Sequence, residues 1–186
     1  MDVLLKSLEK YYMNDNHSER ILDILENNTK ISLRIIDWFV TNYSKKNNIY
    51  YTIYEDKEGN NVFQSNDNKV KKQFNTYQSY KSQLKSFSKK RFDPFCRRER
   101  IIFPLKNDKK IETTIGQLNF FKWALENLII DYIHSNYDEI ENDMNSSYTV
   151  IKKQKKSTER KKRQELSKSA MRGLNCNKVK VIIDFN

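Results

Sequence analysis

One segment of the 186-residue sequence restricts the fold more than any other, because it is apolar on almost every side when drawn as a helix. Residues 115–134 carry apolar side chains at helical spacing, with Phe121 on one side and Phe120 on the other. The capping-box pattern Thr114-x-x-Gln117 opens the segment. Because a helix without a polar face is normally buried, the sequence predicts that this helix is the centre of the core.

Helices are also predicted on the amino-terminal side of this segment. Apolar residues recur at helical spacing within residues 2–12, 18–27 and 32–45, with Ser18 as the expected N-cap of the second helix. A further helix is predicted over residues 70–91, because its aromatic side chains fall within one arc of the helical wheel. This part of the chain is therefore expected to be mainly helical.

Short strands are predicted where the apolar period changes to two. Residues 49–55 alternate and are rich in β-branched and aromatic side chains, and residues 62–65 follow after a turn around Gly59. Residues 100–105 and 178–185 have the same character, and residues 110–114 are the expected partner of 100–105 after a turn. The predicted fold class is therefore α+β, a helix-rich single domain in which residues 49–55, 62–65, 100–105 and 178–185 form a small antiparallel sheet and the central helix lies across it.

The composition divides the chain into three parts. Residues 1–146 are predicted to form a helix-rich globular body. Residues 147–177 are dominated by charge, so we expect a disordered or solvated helical segment until a partner orders it. Residues 178–186 are predicted to return to the body as a C-terminal strand, which would hold the basic segment at both ends.

Positive charge is concentrated in two segments. The net charge of +11 consists of +10 in residues 69–106 and +8 in residues 151–172, so the remaining residues carry −7. Basic residues segregated in this way are typical of proteins that bind a polyanion, most often nucleic acid. The alternatives are an acidic protein or a membrane surface as the partner, or two solvated faces without a function.

The segment KKRFDPFCRRERI (89–101) mixes this charge with aromatic residues. Its arginines can fork onto phosphate oxygens, whereas Phe92, Phe95, Tyr77 and Tyr80 can stack on unpaired bases only if they are exposed. By periodicity, we expect the aromatic residues to anchor the segment in the core and the arginines to face the partner. The candidate nucleic-acid-binding residues are Lys81, Lys85, Lys89, Lys90, Arg91, Arg97, Arg98, Arg100, Lys155, Lys156, Arg160, Lys161, Lys162 and Arg163.

Other chemistry has little support in the sequence. The three glycines are isolated, and no nucleophile elbow or His-Glu-x-x-His pattern is present. Cys96 lies among arginines, which favour a reactive thiolate, but a small hydrophobic residue in an aromatic loop is the preferred interpretation. The carboxylates within residues 138–143 are interpreted as a solvated helix face rather than as metal ligands. We therefore predict a protein that is not an enzyme and that has no cofactor or metal.

Cysteine usage and hydropathy suggest a reducing compartment. Cys96 and Cys176 are far apart, lack Cys-x-x-Cys spacing and are interpreted as reduced thiols. The sequence MDVLLKSLEKYY has no signal-peptide pattern. No stretch of about 18 apolar residues is present, so insertion into a membrane is not expected.

Four blocks are distributed along the chain from residue 32 onward: SLRIIDWFVTNYSKKN (32–47), YKSQLKSFSKKRFDPFCRRERI (80–101), ETTIGQLNFFKWALENLIIDYI (112–133) and RKKRQELSKSA (160–170). Together they resemble a family of short, uncharacterised proteins of nucleocytoplasmic large DNA viruses, including mimivirus-like giant viruses. The resemblance implies a viral protein located in the virion or in the host cytoplasm, at the virus factory. It implies no catalytic residue, since no activity is established for that family.

The sequence as a whole predicts a non-enzymatic protein that binds DNA or RNA through phosphate contacts with weak sequence preference. In a viral context, this predicts a role in genome packaging, viral transcription or the virion core. The alternative is a scaffold protein that binds acidic protein partners, with residues 138–143 serving self-association. The run KKQKKSTERKKR also matches a nuclear-localisation signal.

Overall fold

The computed structural model describes residues 3–26, 28–63, 69–106 and 109–157. The described residues up to Ser146 form one compact unit, and those from Ser147 belong to a second. The helices are α1 (Val3–Tyr12), α2 (Asp15–Leu25), α3 (Leu33–Trp38), α4 (Ser44–Lys46), α5 (Thr76–Arg91), α6 (Ile115–Glu126), α7 (Ile129–Ser135) and α8 (Tyr137–Ser157). The strands are β1 (Tyr50–Glu55), β2 (Asn61–Val62), β3 (Lys69–Asn75), β4 (Ile101–Pro104) and β5 (Lys110–Thr113). The predicted α+β class is confirmed.

Helix α6 is the centre of the core, as its apolar surface predicts. Nine of its twelve residues are buried, which leaves almost no side of the helix in contact with solvent. On one side, the Tyr12 hydroxyl of α1 donates to the Leu118 carbonyl at 2.8 Å. On another, the Phe92 ring packs against Phe120 and Trp123, with centroids 5.2 and 5.3 Å apart. Elements that are far apart in the sequence therefore pack onto this helix.

The single helix predicted over 115–134 is in fact two helices. Leu128 lies between α6 and α7 with φ of 56°, in the left-handed region. A left-handed conformation costs a residue with a β-carbon about 1–2 kcal/mol. It is tolerated here because the Leu128 side chain is buried. The Asn127 side chain also donates to the Trp123 carbonyl at 2.7 Å, which satisfies a carbonyl at the end of α6.

All three strands of the larger sheet are attached to this break. Tyr51 of β1 donates its hydroxyl to the Asn127 carbonyl at 2.6 Å. Asn61 of β2 donates its amide to the Glu126 carbonyl at 2.6 Å. Lys72 of β3 donates its ammonium group to Asn127 Oδ1, also at 2.6 Å. The last carbonyls of a helix have no partner within the helix, and the strands supply partners from outside it.

Strand β3 was not expected. Residues 70–75 belong to the helix predicted over 70–91, but residues 69–75 pair antiparallel with β1 from Tyr50↔Asn75 onward, giving the sheet order β2-β1-β3. The helix begins only at Thr76, because the Asn75 side chain accepts a hydrogen bond from the Gln78 N–H at 2.9 Å and acts as the N-cap. The predicted helix is confirmed from Thr76 to the kink at Ser88, and the prediction was wrong for residues 70–75.

The described strands form two sheets rather than the single predicted sheet. Strand β4 pairs with β5, from Ile101↔Thr113 to Pro104↔Lys110, and these two strands form a sheet separate from the three-stranded one. Strand β2 covers Asn61–Val62, so Phe63 of the predicted 62–65 is not in the strand, and residues 64 and 65 lie outside the described residues. The predicted strand at 178–185 and the rest of the chain beyond residue 157 lie outside the described residues.

The amino-terminal helices follow the prediction, apart from two local differences. Helix α2 begins at Asp15 because Asn14 is its N-cap. Ser18 therefore lies inside the helix, and its hydroxyl donates to the Tyr12 carbonyl. The helix expected over 32–45 includes a π-helical turn, Phe39–Tyr43, between α3 and α4. A π-helical turn is a feature often found near functional sites.

Replacing Asn127 with alanine should lower the free energy of unfolding by about 1–3 kcal/mol. The substitution removes the partner of the Lys72 ammonium group and one of the two hydrogen bonds that the Trp123 carbonyl accepts at the end of α6. The measurement is urea denaturation followed by tryptophan fluorescence. The exposed Asn42 is the matched control, and its alanine variant should stay within about 0.5 kcal/mol of the parent. Equal stability of the two variants would contradict the role given to Asn127.

Candidate nucleic-acid interface

Helix α5 presents lysines beside an aromatic docking face. Tyr80 is buried, with its ring 6.1 Å from that of Trp123, and burial raises the pKa of its hydroxyl to about 12. Lys81 and Lys85 are exposed on the same helix. The helix is therefore fixed by its aromatic side, which leaves these two ammonium groups in solvent.

The predicted row of lysines is interrupted before Lys89. Ser88 has φ of 55° and ψ of 170°, so the helix is kinked there. This conformation is normally confined to glycine and costs about 1–3 kcal/mol. The Ser88 hydroxyl accepts a hydrogen bond from the Lys90 N–H at 3.3 Å. Lys89, Lys90 and Arg91 thus form a separate exposed turn at the end of α5.

Backbone contacts hold this turn and the following loop against the first part of α6. The Asp93 N–H donates to the Gly116 carbonyl at 3.2 Å, and the Asn119 side chain donates to the Arg91 carbonyl at 3.0 Å. A β-carbon at Gly116 would lie only 3.2 Å from the Lys90 carbonyl oxygen. Glycine therefore permits the close approach of the two segments.

The aromatic residues of KKRFDPFCRRERI anchor the loop, as expected. Phe92 is 1% exposed and lies in the core beside Tyr80, with ring centroids 6.0 Å apart. Phe95 is half-buried, and its ring is covered by the Arg97 guanidinium at 4.7 Å. Phe92 and Tyr80 are therefore unavailable for stacking on bases.

Arg97 already has a carboxylate partner. Its Nε and Nη2 atoms donate to Asp93 Oδ2 and Oδ1 at 2.9 and 2.8 Å, and this hydrogen bonding raises the pKa of the guanidinium. The Asp93 side chain is 8% exposed, whereas that of Arg97 is 61% exposed. Moving Arg97 onto a phosphate would leave a buried carboxylate without its cation, which is costly. Arg97 is therefore a brace of the loop.

Arg98 and Arg100 are in a different position. Arg100 pairs with Glu112 at 2.6 Å, but both side chains are more than half exposed. A surface pair of this kind contributes at most about 1 kcal/mol, so a phosphate can replace Glu112 at little cost. Arg98 is exposed. These two arginines remain suited to the predicted phosphate contacts.

A lysine from another element joins this surface. The Tyr77 ring is half-buried, and the ammonium groups of Lys81 and Lys45 lie 5.7 and 5.8 Å from its centroid. Lys45 belongs to α4 and was not among the predicted contacts. Its position in the run SKKNN at a helix end was the available signal, but only the packing of α4 against α5 brings it here.

Asp37 of α3 is an acidic residue that lies near the cations of this region. Desolvation by burial raises the pKa of its carboxyl above the ordinary value of 3.8, and the nearby Asp93 carboxylate adds to the effect. Arg97 and Lys89 act in the opposite direction without cancelling it. The carboxyl is therefore destabilised in its charged form even though it lies near two cations.

Part of the second basic segment can be placed on the chain. Helix α8 extends to Ser157, so Lys155 and Lys156 lie in its last turns. The other four candidates lie outside the described residues: Arg160, Lys161, Lys162 and Arg163.

The acidic start of α8 has internal partners. Glu139 accepts a hydrogen bond from the Tyr43 hydroxyl at 3.2 Å. Asp143 accepts one from the Trp38 indole at 3.1 Å and pairs with Lys46. These carboxylates attach α8 to the segment around the π-helical turn. They are thus occupied in holding the body together, which a solvated face would not be.

Side chains that could bind a metal ion are not grouped together within the described ranges. No group of three or more His, Cys, Asp or Glu side chains suited to a metal ion occurs there. Cys96 is a half-buried free cysteine. The His17 ring stacks on Tyr11 at 4.0 Å. Of the helices that are described, none has both the length and the apolar character of a membrane span.

Comparison with known proteins identifies the family. The model of a family of unknown function, DUF7197, matches residues 1–170. The chain belongs to this family. The DUF7197 chain is 36% identical over 172 residues to an uncharacterized protein of Acanthamoeba polyphaga mimivirus. That alignment covers 89% of this chain and 61% of the mimivirus protein, so the chain spans less than two thirds of that relative. No solved structure matches it. The predicted resemblance to giant-virus proteins is confirmed.

The two paired arginines should differ in their effect on stability. Arg97→Ala should lower the free energy of unfolding by about 1–3 kcal/mol, because the buried Asp93 carboxylate loses its partner. Arg100→Ala should change it by less than about 1 kcal/mol, because its pair with Glu112 is on the surface. Chemical denaturation of both variants measures the difference. A larger loss for Arg100→Ala would show that the brace has been misassigned.

Asp37→Asn should stabilise the DUF7197 protein at pH 7. The folded-state pKa of Asp37 is raised above the ordinary value of 3.8, so the folded protein keeps this proton to a higher pH than the unfolded chain does. The stability is therefore full below pH 3.8 and is lost as the pH rises through the folded pKa. The advantage of the variant should therefore be small near pH 3 and full at pH 7.

Asp56→Asn is the control of opposite sign. Backbone hydrogen bonds from Asn60 and other residues of the turn lower the pKa of Asp56, so its variant should be less stable at pH 7 and approach the parent as the pH falls. Thermal unfolding between pH 3 and 7 measures both. A gain for Asp37→Asn that does not vary with pH would contradict the assignment.

Proposed function

We propose that this viral protein binds DNA or RNA through phosphate contacts, without catalysis and with weak sequence preference. The observation that supports the proposal is the difference in exposure between the aromatic and the cationic side chains of α5 and of the loop that follows it. The large rings of Tyr80 and Phe92 are buried, while the interleaved cations are exposed. We call the exposed cations the basic ridge, and they are Lys81, Lys85, Lys89, Lys90, Arg91, Arg98 and Arg100.

The physical mechanism is the release of condensed counterions. Each ammonium or guanidinium group that neutralises a phosphate frees counterions from the nucleic acid, so affinity falls as salt rises. Contacts of this kind position the backbone and carry no base information. The burial of Phe92 and Tyr80 argues against base stacking as the main source of affinity. Tyr77, half-buried between Lys45 and Lys81, is the aromatic residue best placed to add one stacking contact.

The contributions of the predicted residues should differ. The ridge lysines, such as Lys85, should contribute to binding directly. Arg100 should contribute after exchanging Glu112 for phosphate, whereas Arg97 should act only through the shape of the loop. The basic segment at 151–172 adds further charge to the proposal, through Lys155, Lys156, Arg160, Lys161, Lys162 and Arg163.

The biological role is proposed from the viral family. A basic viral protein that binds nucleic acid would serve genome packaging, viral transcription or the virion core. It would be located in the virion or in the host cytoplasm at the virus factory, with nuclear entry through KKQKKSTERKKR as a further route. The competing proposal is a scaffold protein whose basic segments bind an acidic protein partner. The internal contacts of Glu139 and Asp143 make self-association through α8 less favourable.

Neutralising three ridge lysines, in Lys81→Ala/Lys85→Ala/Lys89→Ala, should weaken binding and flatten its salt dependence. For every phosphate that is no longer neutralised, the slope of log affinity against log salt should fall by about 0.9 on duplex DNA and about 0.7 on single strands. Fluorescence anisotropy with labelled oligonucleotides across a salt series measures the slope.

The matched control removes three exposed lysines outside the basic segments, Lys6, Lys30 and Lys57. It lowers the net charge equally, and its slope should stay close to that of the parent. If both triple variants lose the same slope, net charge alone attracts the nucleic acid and the ridge is not the site. If the intact protein shows no salt-dependent binding, but retains an acidic protein after nuclease treatment, the competing proposal holds instead.

A further inference from the structure

A cavity of about 360 Å³ opens beside the end of the basic ridge. Three cationic side chains line it, Lys90 and Arg91 from the end of α5 and Arg98 from the loop. Its wall includes Ile115 and Gly116 of α6. This cavity differs from the rest of the ridge, because it is concave and its cations come from two separate segments.

We propose that this cavity binds a terminal phosphate monoester, the group carried by a phosphorylated end of a nucleic acid. The inference deepens the proposed function and rests on it. Lys90, Arg91 and Arg98 carry three positive charges, and Glu99, which also lines the cavity, carries one negative charge. The balance of +2 matches a phosphate monoester, which carries about −1.5 to −2 at neutral pH. A phosphodiester within a chain carries only one negative charge.

The size of the site also suits a chain end. A volume of about 360 Å³ is at the lower end of the range for small-molecule sites, enough for a phosphate and the adjoining sugar. The apolar Ile101 and Ile115 on the lining suit the carbon face of that sugar.

The backbone segments that carry the cations of the cavity are held in place before any ligand binds. The Arg91 carbonyl accepts a hydrogen bond from Asn119 at 3.0 Å, and the Gln117 side chain donates to the Pro94 carbonyl at 2.8 Å. Thr113 in turn donates to Gln117 Oε1 at 2.8 Å. The two segments that supply the cations are therefore fixed to the same helix, and such preorganisation reduces the entropy lost on binding.

The test compares oligonucleotides of one sequence that end in a hydroxyl, a 5′-phosphate or a 3′-phosphate. Anisotropy at constant salt should show that a terminal phosphate increases the affinity about tenfold or more, the range expected for hydrogen bonds to a charged group. In Arg98→Ala the gain should fall to less than about twofold, and Arg98→Lys should retain part of it.

Lys85→Ala is the matched control. Lys85 belongs to the basic ridge but does not line the cavity, so this variant should weaken binding of all three oligonucleotides by the same factor and leave the end preference unchanged. Thermal unfolding of each variant verifies that the fold is retained, which is expected because Arg98 is exposed.

The other outcomes are distinct. Equal binding of all three oligonucleotides to the parent would overturn the end-binding site and leave the proposed function intact. A nucleoside monophosphate that binds tightly, while end phosphates add nothing, would assign the cavity to free nucleotides and overturn the chain-end assignment. Absence of binding by every oligonucleotide, at low salt as well, would overturn this inference together with the proposed function.

Discussion

The two ends of helix α6 hold the molecule together, and each does so with a different set of contacts. At its carboxyl end, the carbonyls of Glu126 and Asn127 accept hydrogen bonds from β2 and β1, and the Asn127 side chain accepts one from β3. At its amino end, Gly116 accepts a hydrogen bond from Asp93 and Asn119 donates one to the Arg91 carbonyl. These two bonds hold the backbone of residues 91–100, which we call the basic loop. One buried helix therefore positions both the sheet and the candidate interface. Aromatic packing fixes the middle of that helix.

The basic loop shows how a protein keeps many like charges on a short segment. The rings of Phe92 and Tyr80 are buried in the core, so apolar burial anchors the backbone of the loop. This anchoring does not require the positive charges of the loop to be neutralised. One arginine, Arg97, is paired with the buried Asp93 and closes the loop. The cost of this arrangement appears at Ser88, whose left-handed backbone turns the chain toward α6. The remaining cations are then held close together in solvent.

The sequence was sufficient for features that follow from composition, and insufficient for those that follow from single contacts. The central position of 115–134 follows from its apolar surface. The break at Leu128 could not be predicted, because apolar spacing continues through it and the strained residue is stabilised only by its surroundings. Strand β3 was missed because residues 69–75 contain lysines that also suit a helix face, and only pairing with β1 decides between the two. The Asn75 cap was the one local signal of the boundary.

The candidate site shows the same division. Segregated charge identifies the basic segments from sequence alone, but the state of each arginine depends on its neighbours. Asp93 and Arg97 are four residues apart, so their pair is local, yet its strength comes from the burial of Asp93 by α6. Arg98, one residue further, is exposed and lines the cavity instead. Neighbouring arginines that look equivalent in the sequence therefore divide into one that maintains the loop and one that is suited to a ligand.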